Sequence, residues 1–247
     1  MPLVLLDAPF FALPATALPV RLVLGLHIAA GTTALLTGLV PMLGRKGGLT
    51  HVRAGRLYVY CMFTVAVTAV LLCLLQPLNL GRLFLMGVAL LSFYLSFSGW
   101  RAARRRSPVP AVFDMLLGAF TALAGLVMVG TGIWLKAVLF AFIGGLLCVF
   151  AGLDTWRALR PVTATAAQPW VYRHFIRMGG SYISTATAFV VVNLGRWLPE
   201  DAPQWSGLVG WIAPTVLGSV LIARTVRHYK RRLHPTGIPT IRPASPV

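Results

Sequence analysis

The sequence predicts an all-α, polytopic transmembrane helical bundle of seven spans, with the N-terminus outside and the C-terminus cytoplasmic. Three observations predict it. Apolar residues make up 57% of the chain and charged residues 11%, whereas a soluble domain carries about 25% charge. Apolar runs of about 20 residues, each long enough to cross a bilayer as a helix, recur along the whole sequence. The basic residues alternate from one side of these runs to the other, as the positive-inside rule requires.

The elements follow in order. Residues 1–19 form an apolar segment with Pro9, Pro14 and Pro19 at five-residue spacing. Proline at that spacing prevents a continuous spanning helix, and without a basic n-region or cleavage site the segment does not read as a signal peptide. The transmembrane domain is expected over residues 20–226. Span one, 20–42, carries His27 and a set of small residues; Gly31 and Gly38, seven apart on one face, suit close helix contact. A basic, glycine-rich loop precedes span two, 55–75, which ends at Gln76-Pro77. Span three covers 82–100, span four 111–130, and a Thr131-Gly132 turn is expected before span five, 134–153. Span six, 170–194, begins basic and aromatic and ends in small and branched apolar residues. Read as a helix, it places His174, Met178, Ser181 and Thr185 on one stripe, while Gly180, Ser184 and Ala188 make a second stripe suited to packing. Span seven covers 208–226, with Pro214 a kink. Residues 227–247 read as a basic, disordered cytoplasmic tail.

Eighteen of the 22 Lys and Arg residues fall on the side expected to be cytoplasmic. They are Arg45, Lys46, Arg53 and Arg56 in the first loop; Arg101, Arg104, Arg105 and Arg106 in the third; Arg157, Arg160, Arg173 and Arg177 around the fifth; and Arg224, Arg227, Lys230, Arg231, Arg232 and Arg242 at the C-terminal end. The other face keeps Arg21, Arg82, Lys136 and Arg196. The formal charge of +17 is therefore a membrane-topology signal rather than a nucleic-acid footprint. The expected partners are the anionic head groups of the cytoplasmic leaflet of a cell inner membrane, with helix-mediated oligomerisation open and no nucleic acid. Cys61, Cys73 and Cys148 lie inside apolar runs and pair in no CxxC motif, so they read as small buried side chains.

An ionisable group in a bilayer is costly and needs a reason. Four sit near the cytoplasmic edge: His51, Asp114, Asp154 and His174, at the same depth as a rim of Arg53, Arg56, Arg157 and Arg177. Two readings stay open. In one, the acids are neutralised by arginines. In the other, two imidazoles and two carboxylates bind a divalent metal, or His51 and His174 hold a haem b. His27 lies about 20 Å from that edge at 1.5 Å per residue, too far to share a haem with either. It is expected to hydrogen-bond across helices to Asn193 or Thr187; Ser181, Tyr182 and Asn193 complete the intramembrane polar set. No P-loop, nucleophile elbow or Ser-His-Asp order assigns a reaction. A cofactor- or metal-binding redox or sensory role leads, with a small-solute transporter or channel, or a lipid- or partner-binding scaffold, as alternatives.

Several of these residues form a scattered pattern: His27-x3-Gly31, Lys46-Gly47-x3-His51-x3-Gly55-Arg56-x-Tyr58, Asp154, and Trp170-x3-His174-x3-Met178-x2-Ser181-Tyr182 with Ala188-Phe189 and Asn193. The pattern resembles a family of bacterial multi-pass membrane proteins classed as domain of unknown function twenty-three-zero-six. The resemblance covers most of residues 20–226 and implies an inner-membrane protein. It carries no activity, and it singles out His27, His51, Asp154 and His174.

Overall fold

A computed structural model of the chain describes residues 13–105, 111–159, 170–199, 201–203 and 205–233. They fold into seven α-helices: α1 (Leu18–Leu43), α2 (Leu49–Leu75), α3 (Leu80–Arg105), α4 (Val112–Trp134), α5 (Val138–Ala158), α6 (Trp170–Trp197) and α7 (Trp205–Leu233). All seven are long and apolar enough to cross a membrane, and many of their large apolar side chains face outward. Lipid, rather than a second layer of protein, covers such side chains in an integral membrane protein.

Helix α3 is the centre: it packs on α2, α4, α5 and α6. Its inward face is lined by small residues, including Gly87, Ser92, Ser96 and Gly99, all buried. Small residues let helix backbones approach where there is no hydrophobic drive to bring helices together in lipid. Helices α1 and α2 pair beside α6 around Ala34, Tyr58 and Met62. Helices α4 and α5 form a hairpin that closes a second cluster with α3 around Leu91, Tyr94 and Leu147. The backbone of helix α7 lies along α6, and its Trp211 reaches Phe84 of α3 at a ring-centroid distance of 5.0 Å.

The structure corrects several boundaries. Thr131 and Gly132 are not a turn: both are helical, and α4 runs on to Trp134. Gly132 serves packing instead, because a Cβ there would lie 2.9 Å from the Ala141 Cα. The chain reverses over Leu135–Ala137, where Lys136 takes the left-handed conformation (φ 53°) and the Ala137 N–H donates to the Gly132 carbonyl at 2.8 Å. Helix α2 starts at Leu49, six residues ahead of the expected 55, because extended Gly48 is its N-cap and Gly55 is tolerated inside the helix. Helix α7 continues to Leu233, so residues 227–233 of the expected disordered tail are helical. No helix breaker intervenes there until Pro235, which disfavours helical backbone at the residue before it. Residues 234–247 of that tail and 1–12 of the N-terminal segment lie outside the described residues. Pro19 sits in the first turn of α1, where its missing N–H leaves no bond unmade. Just before it, the Leu13 N–H donates to the Leu75 carbonyl at 2.9 Å, tying the chain ahead of α1 to the end of α2.

Candidate functional site

Helix α6 carries two neighbouring polar stripes, and each builds a different site. Residues 174, 178, 181 and 185 face α2 and α3; residues 173 and 177 face α5. The offset of one residue is about 100° around a helix, so side chains adjacent in sequence enter different environments.

On the first stripe, His174 meets His51 of α2 with ring centroids 6.1 Å apart at an interplanar angle of 61°. The His51 Nδ1 lies 3.1 Å from the Pro41 carbonyl and the His174 Nδ1 3.0 Å from the Gly99 carbonyl. A carbonyl can only accept, so both Nδ1 atoms carry a proton, and in the neutral imidazoles both Nε2 atoms carry a lone pair. No described residue hydrogen-bonds to either Nε2. The Pro41 carbonyl is free for this role because it belongs to the last turn of α1, where the helix has no donors left. The Lys46 ammonium also sits there, donating to the Pro41 carbonyl at 2.8 Å and the Met42 carbonyl at 2.5 Å. A cation is favoured at a helix C-terminus, although partial burial pushes the Lys46 ammonium below its ordinary pKa. The two imidazoles line a cavity of about 260 Å³ between α1, α2, α6 and α7, walled by Lys46, Tyr58, Met178, Tyr182 and the Pro214–Thr225 stretch of α7.

Below the cavity the stripe is fully committed to packing. The Ser181 hydroxyl donates to the Ser92 carbonyl at 2.7 Å. Its one proton is therefore used, and Tyr58 must donate to Ser181 across 2.7 Å. Thr185 donates to the Ser181 carbonyl at 2.9 Å and contacts the Met62 sulfur at 3.4 Å. The Tyr182 hydroxyl donates to the Leu35 carbonyl at 3.1 Å, and its ring lies over Gly38, where a Cβ would come within 2.6 Å of it. Gly31, the other glycine expected at that contact, has Val65 only at 4.0 Å. The Ser184 stripe packs on α3 as expected, with the Ser92 hydroxyl donating to Ser184 at 2.7 Å.

On the second stripe, Arg177 is only 6% exposed. Its Nη2 donates to Asp154 Oδ2 at 2.6 Å and to the Phe150 carbonyl at 3.0 Å, with the guanidinium 4.9 Å from the Phe150 ring centroid. Tyr94 donates to the same carboxylate oxygen at 2.8 Å, and Arg173 lies 3.6 Å from Oδ1. Asp114 makes a parallel cluster at the start of α4. It accepts from Arg101, from Arg105 at 2.9 Å and from the Ala111 backbone N–H at 3.1 Å. That backbone bond caps the helix, and the acid sits at the favourable end of the helix dipole.

The four residues expected to share one metal therefore do not converge. His51 and His174 come together; Asp114 and Asp154 are each held by two arginines on the α3–α4–α5 side of α6. Among the described residues, no group of three or more His, Cys, Asp or Glu is placed to hold a metal ion. Of the expected arginine rim, Arg53, Arg56 and Arg157 are exposed and Arg177 is buried as an acid partner. His27 also differs from expectation. Its Nδ1 lies 2.8 Å from Thr68 Oγ1 of α2, while Asn193 and Thr187 bond back to their own helix, to the Phe189 and Ile183 carbonyls. Depth alone selected span six for His27, but α2 is the helix that α1 lies against. Lys46, Tyr58, Tyr94 and Arg101 were missed as site residues. Arg101 and Arg105, one turn apart and just ahead of Asp114 in the sequence, were the signal that an arginine pair would claim that acid.

Comparison of the chain with protein-family models, curated proteins and solved structures gave no match.

Proposed function

We propose that the protein is a multi-pass protein of a bacterial cytoplasmic membrane whose working site is the paired-imidazole cavity, where His51 and His174 hold a transition-metal ion in a redox or sensory role. One observation carries the reading: two histidines 123 positions apart in sequence, each with Nδ1 on a backbone carbonyl and no hydrogen bond to Nε2 from a described residue, line one cavity with their rings in edge contact. A carbonyl partner on the far nitrogen is the usual way a metal-binding histidine is oriented. The 6.1 Å spacing agrees with this. With metal–nitrogen bonds of about 2.0–2.1 Å, two imidazoles on one ion have ring centres about 5.2 Å apart at a tetrahedral angle and about 6.4 Å apart when opposed. Met178, one turn beyond His174 on the cavity wall, supplies a soft thioether, and the set then suits copper best.

The cavity size favours an ion over haem b. At about 260 Å³ it falls below the roughly 300–1,000 Å³ of pockets for drug-sized ligands, and a haem is larger than most of these. The proposed site faces the cytoplasm, following the arginine distribution, with the exposed Arg53, Arg56 and Arg157 attracting anionic head groups. The resemblance to the domain of unknown function twenty-three-zero-six family agrees in giving His51 and His174 weight.

The test is elemental analysis of detergent-purified protein after exposure to copper(I), copper(II) and zinc(II). About one ion per chain is expected, with loss of nearly all of it in His51→Ala and in His174→Ala. Retention should weaken as the medium is acidified, because imidazolium has no lone pair to offer. Metal-free wild-type protein, or a His51→Ala/His174→Ala double variant that still binds one ion, defeats the proposal. A Soret band lost in the same variants would transfer the site to haem.

A further inference from the structure

A second cavity, larger than the one at the histidines, adjoins it through the shared wall residues Ile183 and Ile222 and is lined by neither histidine. It is a groove of about 860 Å³ with α3 and α6 as its floor and α5 and α7 as its walls. It exists because α7 packs on α6 but makes no backbone contact with α5. Its lining is apolar along nearly the whole length, with Leu95, Phe142, Phe150, Ile183 and Trp211 among the residues that form it. One end is different: there Arg227 lines the groove, exposed and without an anionic partner among the described residues. From Ile212 to Arg227 the α7 wall is about 22 Å long at 1.5 Å per residue.

We propose that this groove holds one acyl chain of an anionic phospholipid, with the lipid phosphate bound by Arg227. The shape of the occupant follows from the lining: long, apolar and negatively charged at one end only. An extended acyl chain of ordinary length is about as long as this wall, and the lipid phosphate supplies the anion that Arg227 lacks among the described residues; a second copy of the chain in the groove is the rival occupant that the experiment separates from it. Lipid tails are as apolar as the leucine side chains they would touch, so moving a tail out of the bilayer into the groove gains little. Selection therefore rests on the head group, and the charge at Arg227 is what distinguishes an anionic lipid from a zwitterionic one. Arg227 lines this groove and not the histidine cavity, and the histidines line only the latter, so lipid retention and metal retention are read on separate side chains.

The experiment is native mass spectrometry of the purified full-length chain, delipidated and then offered phosphatidylglycerol or phosphatidylcholine in detergent. The expected result is one phosphatidylglycerol retained per chain, with about fivefold weaker retention in Arg227→Gln, the size of effect of one basic residue at a membrane surface, and recovery in Arg227→Lys. Ser219→Phe, which places a ring in the groove from the α7 wall, should abolish retention. Thermal unfolding of both variants in lipid-free detergent checks that they remain folded. Equal retention of the two lipids, undiminished phosphatidylglycerol in Ser219→Phe, full competition by inorganic phosphate, or a dimer whose formation excludes the lipid would each overturn the proposal.

Discussion

Asp154 and Arg177 show how a single pair of side chains sets the cost of a polar group at the edge of a bilayer. Arg177 has 7% of its side chain exposed and Asp154 11%, so neither is rescued by water. Removing one partner strands the other, and for a buried pair that costs about 3–5 kcal/mol. Arg177→Met should therefore destabilise the protein by an amount in that range in detergent unfolding. The Arg177→Met/Asp154→Leu double variant should recover much of the loss, since apolar side chains of similar volume often replace a buried ion pair at little cost. A double variant no more stable than Arg177→Met would show that Tyr94 and Arg173 already satisfy Asp154. The sequence revealed that the acids at this depth need partners, and one of the two readings it left open was neutralisation by arginine. It did not reveal which arginines, because residues 173 and 174 differ by one position yet answer to different helices. Only the packing of α6 on α3, with α5 and α2 within side-chain reach to either side, decides that Arg173 and Arg177 serve Asp154 while His174 turns to His51.

Within the α4–α5 hairpin, glycine decides how closely two helices approach. A Cβ on Gly144 would lie 2.7 Å from both the Gly125 carbonyl oxygen and the Val129 nitrogen, and one on Gly125 would lie 2.8 Å from the Gly144 carbonyl oxygen. These are backbone atoms, so the helices themselves must part. Gly145, the next residue, has nothing within 4 Å of its Cβ position. Gly144→Ala should thus destabilise by about 1–3 kcal/mol, the usual cost of overpacking. Gly145→Ala should be neutral or slightly stabilising, since alanine is favoured over glycine in a helix by up to about 1 kcal/mol. Equal effects of the two substitutions in thermal unfolding would remove the close approach as the reason for Gly144. Existence and order of all seven helices were legible, because a 20-residue apolar run leaves lipid few alternatives. The ends were less so. Thr131-Gly132 carries turn chemistry, yet the same glycine suits a tight helix crossing, and only the neighbouring Ala141 shows which demand it meets.

For the molecule as a whole, the helix ends sort the basic residues onto one face: the C-terminal ends of α1, α3, α5 and α7 lie with the N-terminal ends of α2, α4 and α6. If the positive-inside rule sets the direction, that face is cytoplasmic. A fluorescent reporter that matures only in the cytoplasm should be bright when fused after Val247 and dark when inserted at Pro203; the opposite pattern would invert the protein. The order of the seven spans was readable from the apolar runs, whereas the assembly of α1, α2, α6 and α7 around the histidines was not, since no local pattern links residues so far apart. The reversal at Lys136 has a further consequence for how the chain is made. Three residues between two bilayer-length helices leave no slack for one to cross while the other waits. The short connection therefore favours entry of α4 and α5 into the bilayer as one hairpin, the arrangement that brings Gly125 and Gly144 face to face.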